Sequence, residues 1–307
     1  MINKKPSLIS IALCTYNGEK YIKQQLESLI SQSYKPFEII ITDDLSTDNT
    51  LKILEEYAAK YPFIKIYKNE KNLGFVKNFE KAIKLCDGEY IALSDQDDIW
   101  MPEKLSTLIS QVADNDLIYH DSVFIDENGQ PILSKKMSDH YNKYDGTSNI
   151  PFLISNCVAG HAMLFKKSLL PSFLPFEDGF YHDWWITFVA ISTGKIKSIP
   201  DVLVKYRQHD LSITDSLTLK QVSAINLKKG YLNFDLKWIE HCMKFKKTKN
   251  PGEIKKIYAQ LKAYSEGERG LKLFIFLLKY YRLLFYFHIK KKSLLSRLNI
   301  IRKISFG

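Results

Sequence analysis

The chain opens with short apolar runs that alternate with segments of helical period. Residues 8–14 (LISIALC) form an apolar run that ends in Thr15, Tyr16, Asn17 and Gly18, which predicts a buried strand feeding a loop. Tyr21, Ile22, Leu26, Leu29 and Ile30 recur at helical spacing up to Ser33-Tyr34-Lys35-Pro36. A second apolar run, Ile39 to Ile41, ends in Asp43-Asp44, and a further helix is expected from Ser46 to Tyr61, with Ser46 or Thr47 as cap and Pro62 beyond it. FIKIY at 63–67 reads as a third strand. Phe75, Phe79, Ala82 and Ile83 share one face of the next helix, which stops near Asp87-Gly88, and YIALS at 90–94 is a fourth strand running into Asp95-Gln96-Asp97-Asp98.

Strands alternating with helices of this length predict an α/β fold, with a mostly parallel sheet covered on both faces. Ligands of such sheets bind beyond the carboxyl ends of the strands. The polar clusters at 15–17, 43–44 and 95–98 all fall at such ends. The middle of the chain is mixed, with strands expected near 117–125, 160–165 and 202–207 and a helix over about 181–193. From 214 onward the pattern turns helical. No internal repeat or low-complexity linker interrupts it. The organisation expected is one α/β domain over 1–215, split into halves at about residue 100, and a helical extension over 216–307.

Charge sharpens that division. The net charge is +10, yet residues 220–307 hold 21 Lys and Arg against five Asp and Glu, so the remainder is acidic. A basic tail suits a polyanionic partner such as anionic lipid or a lipid-linked phosphate. Cys14, Cys86, Cys157 and Cys242 form no CxxC pair, which argues against a zinc site or a disulfide framework and suits a reducing cytoplasm. The run at 8–14 is too short for a signal segment, so nothing here points to secretion.

The acidic cluster carries the first candidate chemistry. Asp95 and Asp97 stand where both can point into one crevice, and Mg2+ or Mn2+ prefers carboxylate ligands while accepting phosphate oxygens. Such an ion neutralises a diphosphate leaving group. The same carboxylates also suit the N-terminus of the helix that follows Pro102, so the pair alone leaves both readings open.

The segments SIALCTYNGEKYIKQQLESLISQSY, EIIITDDLSTDNT, NEKNLGFVKNFEKAI and GEYIALSDQDDIW, in that order over about 100 residues, resemble glycosyltransferase family 2, which has the GT-A fold. The DQDDIW form is similar to the subset that includes bacterial rhamnosyltransferases of surface polysaccharide synthesis. The resemblance implies a nucleotide-sugar donor, with dTDP-rhamnose favoured and UDP-hexoses or UDP-N-acetylhexosamines as alternatives. It places Thr15, Tyr16 and Asn17 along the nucleotide, and it has Asp44 accept the N3–H of uracil or thymine, with Asp43 supporting the loop. Asn72, Gly74 and Lys77 belong to the next donor-binding stretch. Asp95 and Gln96 face the donor, while Asp97, joined by His209 of KYRQHD, ligates the metal. For Asn72, turn chemistry is the competing reading; for Lys77, a solvated helix position.

On the acceptor side, EDGFYHDWWITFVA at 177–190 looks like the family's catalytic acidic motif. Inverting transfer needs a base for the acceptor hydroxyl. Asp183 takes that role by resemblance, with Asp178 as its rival, a helix cap as its structural alternative, and Trp184 and Trp185 as a sugar-facing wall. Asn156, Gly160 and His161 of NCVAGHAMLFKK are expected at the acceptor, a saccharide or a lipid-linked saccharide. In 271–292, Lys272, Lys279, Arg282 and Lys290 fall in one sector of a helix too interrupted to span a bilayer, which suits peripheral attachment at the inner face of the cell membrane. Packing on the catalytic domain, or on a second copy in a homo-oligomer, is the alternative. No nucleic acid is expected, because the tail's aromatics sit in apolar runs rather than among the basic residues. A protein that keeps the fold without catalysis is disfavoured by the presence of both the metal carboxylate and the base.

Overall fold

The apolar runs become the central strands of the computed structural model, which describes residues 6–209, 225–226, 231–232, 234–288 and 293–307. In chain order the first half comprises β1 (Ile9–Thr15), α1 (Ile22–Ile30), β2 (Phe37–Asp43), α2 (Thr50–Lys60), β3 (Ile64–Lys68), α3 (Phe75–Leu85) and β4 (Tyr90–Ser94). Strands β1, β2 and β4 are buried along almost their whole length, as strands covered on both faces must be. They lie parallel in the order β3-β2-β1-β4. The chain steps outward from β1 to β3 and then returns to the other side of β1. The carboxyl ends of β1 and β4 therefore flank a topological switch point, where open α/β sheets hold their ligands. Register brings the polar clusters to this one end, since Thr15 pairs with Asp43 and Leu13 with Ser94.

The second half adds β5 (Ile99–Trp100), α4 (Lys104–Gln111), β6 (Leu117–Ile125), β7 (Pro131–Lys136), β8 (Met163–Lys166), α5 (Leu170–Phe173), α6 (His182–Thr193) and β9 (Ile196–Arg207). Here the sheet is mixed: β8 runs antiparallel to both β4 and β6, β9 parallel to β6, and β5 and β7 antiparallel to β9 and β6. The parallel character expected from the sequence thus holds throughout the first half and for one pair of the second. Helix α2 starts later than expected. Ser46 is hydrogen-bonded to Asp43, and Asp48 accepts the Thr50 N–H, so 44–49 is a loop rather than a first turn. Strand β9 begins six residues before the expected 202, and 160–162 is a 3-10 turn ahead of β8.

Beyond β9 come a two-residue hairpin, β10 (Ile225–Asn226) with β11 (Tyr231–Leu232), and the helices α7 (Leu236–Lys244), α8 (Pro251–Ser265), α9 (Leu271–Leu284) and α10 (Leu294–Phe306). The expected boundary at 215 and the tail residue Lys290 lie outside the described residues. Two apolar clusters cover the sheet. One joins Ile11, Ile39 and Ile41 to α1, α2 and α4. The other joins Ala12, Ile40 and Ile91 to α3 and α6, and it continues without a break into α7–α10. Trp238 caps this union by donating from Nε1 to the Phe152 carbonyl at 2.9 Å.

Candidate active site

A cavity of about 1030 Å³ opens at the switch point. Its first wall is the loop after β1. Asn17, in left-handed backbone (φ 48°), accepts the Thr47 N–H at 2.8 Å. The Tyr16 N–H donates to Gln96 Oε1 at 2.8 Å, and Gln96 Nε2 donates back to the Tyr16 carbonyl at 3.0 Å. One side-chain amide thus ties the β1 loop to the β4 loop across the switch point. Gly18 leaves room for it, because a Cβ there would stand 2.3 Å from Gln96 Oε1. Thr15 Oγ1, Ser46 N and Ser46 Oγ all donate to the fully buried Asp43, which therefore holds the loop.

Asp44 lines the cavity and organises the second wall. Its carboxylate accepts from Asn69 Nδ2 (2.7 Å), Leu73 N (2.7 Å) and Gly74 N (2.9 Å). A carboxylate offers about four acceptor positions, so these three donors leave one over. Asn72 closes the turn by donating to the Asp44 carbonyl and accepting from Gly74 N. Gly74 adopts φ 77°, a conformation that glycine takes without strain, and starts α3.

The floor is acidic. Asp97 Oδ2 lies 2.7 Å from His209 Nε2, and both residues face the cavity. Asp95 lies beside them; burial, then the charges of Asp97 and Asp183, push its carboxyl up to about 7. Asp98 is directed inward. Its Oδ1 accepts the Arg207 N–H at 3.0 Å, while its Oδ2 is buried with no hydrogen-bond partner among the described residues. Asp95, Asp98 and His161 bring one donor atom each within 4.8 Å of one another. His161 is stacked on Tyr206 and contacts Ser122 Oγ at 3.0 Å, and burial holds its imidazole down at about 3. Two oxygen–nitrogen sets therefore meet at this floor, Asp97 with His209 and Asp95 and Asp98 with His161, and their carboxylates suit a hard cation that also takes phosphate oxygens.

Lys104 was not anticipated as a site residue. It is fully buried, donates from Nζ to the His161 carbonyl at 2.7 Å, and sits 3.0 Å from the centre of the Trp100 ring. Burial lowers its ammonium well below the usual range, while the charges of Asp98 and Asp95 oppose that shift. Arg207, two residues before His209 in the same KYRQHD segment, is buried and does not line the cavity. It is instead spent on the protein, donating to the carbonyls of Asp97, Asp126 and Glu127 and to Gln24 Oε1.

Asp183, at the first turn of α6, lines the same cavity, and its charge acts on Asp95. Its Oδ1 accepts the Trp184 N–H at 2.9 Å, Gly160 N–H lies on it as well, and burial raises its carboxyl to about 7. His182 is no competitor as a base: stacked on Phe79 at 4.3 Å, it is held by burial at about 3.

Thr15, Tyr16, Asn17, Asp44, Asn72, Gly74, Asp95, Gln96, Asp97, His209, Gly160, His161 and Asp183 thus converge on one cavity. Four expected residues do not line it. Lys77 donates to the Phe176 carbonyl and sits between Glu80 and Asp178, binding α3 to the loop before α6. Asn156 bonds to Val158 on both sides of its amide and shapes a turn. Trp185 donates to the Phe173 carbonyl from within an aromatic cluster with Phe188 and Trp238. Trp184 leans on Trp238 and Tyr181. The aromatic side chains that do line the cavity are those of Tyr16, Tyr21, Phe75, Phe79, Tyr181 and Tyr206. The periodicity of α3 had already placed Phe75 and Phe79 on one face, and that face borders the site.

The family model of glycosyl transferase family 2 matches residues 10–171. A dTDP-rhamnosyl transferase, RfbG of Shigella flexneri, is 34% identical over 214 residues, covering 64% of this chain and 72% of that protein. An uncharacterized glycosyltransferase of Methanocaldococcus jannaschii is 32% identical over 209 residues, 65% of this chain and 70% of that protein. Among solved structures, a 1–349 fragment of S. aureus TarS in complex with UDP-GlcNAc aligns at a TM-score of 0.60 with 19% identity, over 96% of this chain and 81% of that one. The mannosyltransferase PcManGT from Pyrobaculum calidifontis, in complex with GDP-Man and Mn2+, aligns at 0.56 with 15% identity, over 98% and 86%. At such identities these two speak for the fold alone, and the fold is the GT-A arrangement expected from the sequence.

Proposed function

The chain belongs to glycosyl transferase family 2, and on that premise we propose that it is an inverting enzyme moving a sugar from a UDP- or dTDP-sugar, dTDP-rhamnose first among them, to a glycan or lipid-linked saccharide of a bacterial surface polysaccharide. The observation that carries this reading is that Asp183 lines the same cavity as Asp95 and Asp97. A donor laid along Tyr16 and Asn17 has its diphosphate at the acidic floor and its sugar toward Asp183. The acceptor hydroxyl then attacks the anomeric carbon from the Asp183 side. The new C–O bond forms as the bond to the phosphate oxygen breaks, Asp183 takes the hydroxyl proton, and the nucleoside diphosphate leaves. Mg2+ or Mn2+ held by Asp97 and His209 would supply charge neutralisation for that leaving group. The remaining acceptor position of Asp44 suits the N3–H of a pyrimidine, and the identity with the dTDP-rhamnosyl transferase supports thymine. The proposed place of work is the cytoplasm at the inner face of the membrane, a reading supported by the excess of Lys and Arg in residues 220–307.

A panel of nucleotide sugars, scored by Mn2+-dependent thermal stabilisation and by hydrolysis, tests the donor assignment. A UDP-hexose or UDP-N-acetylhexosamine as winner replaces rhamnose, and a purine nucleotide as winner removes Asp44 from base recognition. Chelation with EDTA is expected to abolish transfer and added Mn2+ to restore it. Asp183→Asn is expected to lower turnover by about 10²-fold or more while nucleotide binding persists; unchanged turnover rejects Asp183 as base.

A further inference from the structure

Helix α9 buries one side and leaves the other bare. Leu273, Leu277, Tyr280, Tyr281 and Leu284 enter the core, while Leu271, Ile275 and Leu278 are 65%, 57% and 46% exposed, on a face they share with Lys272, Lys279 and Arg282. Large aliphatic side chains exposed at successive turns call for a partner. The neighbouring helix extends the face. Gly270 N donates to the Ser305 carbonyl at 2.6 Å, and Phe274 meets Phe306 at 5.7 Å, so the end of α10, with Phe306 exposed, abuts the start of α9.

Charge decides which partner. Residues 271–307 carry nine Lys and Arg and no Asp or Glu. The nearest acid on this side is Glu268, which lies 3.9 Å from Lys272. A second copy meeting the same face through a two-fold axis would set Lys272, Lys279 and Arg282 against their own copies, with only Glu268 at the edge to answer them. A nucleic acid would satisfy the cations and leave Leu271, Ile275 and Leu278 facing phosphate and water. An anionic bilayer answers both halves: headgroups pair with the ammonium and guanidinium groups, while the aliphatic side chains enter the acyl boundary. Lys and Arg stems can lie along the apolar surface with their heads among the phosphates. No helix of the described residues is long and apolar enough to cross a membrane, so contact is along the surface.

We propose that the outer face of α9, with the adjoining end of α10, is a docking surface for an anionic lipid bilayer. This deepens the reading of where the enzyme works, yet its test needs no nucleotide sugar, so a failure here leaves the transfer reading standing. The full chain is sedimented with vesicles of phosphatidylcholine alone and of phosphatidylcholine with an equal part of phosphatidylglycerol, at low and high salt. Binding to the anionic vesicles should be at least about tenfold tighter and weaken with salt. Lys272→Glu/Lys279→Glu/Arg282→Glu should lose at least about tenfold, and Ile275→Ser/Leu278→Ser should lose the part of binding that survives high salt, both with unchanged thermal melting. Equal affinity for both vesicles, no binding to either, or retention by the charge-reversed variant overturns the proposal. A concentration-dependent dimer in sedimentation velocity that charge reversal dissolves also overturns it, in favour of a second copy. Should the charge-reversed variant fail to fold, the wild-type contrast between vesicles and the serine variant decide.

Discussion

A carboxyl that accepts a proton while lying largely out of water answers to pH twice, in activity and in stability, and Asp183 in its proposed role as base is such a group. Burial raises it to about 7, so kcat/KM should climb with pH about tenfold per unit below that point and level off above it. The stability effect has the opposite sense. Below about pH 4 the group is protonated in both states. Between there and about 7 the unfolded chain releases its proton first, so folding loses stability as pH rises, and above 7 the loss is constant. Asp183→Asn lacks that penalty. Its melting temperature should exceed the wild-type value by a few °C at pH 8 and by less at pH 5.5, a gap of roughly 1–2 kcal/mol given that solvent reaches the carboxyl from the cavity; a gap that shrinks toward pH 8 refutes the assigned shift. Asp95, Asp97 and Asp183 were legible through the order of the segments that resemble the family, since acids after a strand or at a helix start read equally well as caps. Lys104 was not, since nothing local separates a buried lysine from one in water. Lys104→Met strips the His161 carbonyl of its donor and leaves Asp95 and Asp98 without their nearest cation. It should lower the melting temperature by about 5 °C or more, in line with the roughly 3–5 kcal/mol lost when one partner of a buried charged set is removed.

Between elements, the Gln96 clasp links the β1 and β4 loops, and Gly18 makes room for it. Gly18→Ala would drive Gln96 off the Tyr16 backbone, and since the atom struck is the end of a flexible side chain, the fold should survive. The expected result is a donor KM raised about three- to tenfold, the effect of losing one or two hydrogen bonds, with the melting temperature nearly unchanged. Gln96→Ala should raise KM similarly, and the double variant should be no worse than either single one, because both act on one contact. Additive losses reject the clasp. Strands β1, β3 and β4 and helix α6 were read to within a residue or two from apolar runs and turn formers, whereas α2 starts four residues later and β9 six residues earlier than those signals indicate. What misled was shared chemistry. Ser46 looked like a helix cap but bonds to Asp43, and Trp185 looked like a sugar platform but faces the core. Helix α6 is buried from Trp185 to Ser192, so its sequence carries no stripe to tell inward from outward.

At the level of the whole molecule, the sharp rise in positive charge near residue 220 drew the eye to a separable tail, because charge reports the solvent side of a helix and is silent about the side that is packed. The buried side of α9 adds five large side chains to the cluster that also holds α6 and Phe152, and Asn142 N donates to the Phe287 carbonyl at 2.9 Å, tying the segment after α9 to the catalytic part. At roughly 1.5–3 kcal/mol for each fully buried large side chain, those five amount to about 10 kcal/mol, as large as the net stability of a typical domain. A chain ending at residue 266 should therefore be insoluble or melt without cooperativity, and limited proteolysis should find no protected core matching the first 215 residues. Charge reversal at Lys272, Lys279 and Arg282 alters the same helix on its other side and should leave melting intact. If the shortened chain instead stays soluble and unfolds cooperatively near the wild-type temperature, the helices form a dispensable extension. If it fails while the charge-reversed chain melts normally, one helix completes the catalytic core with its inner side and leaves its outer side for a surface.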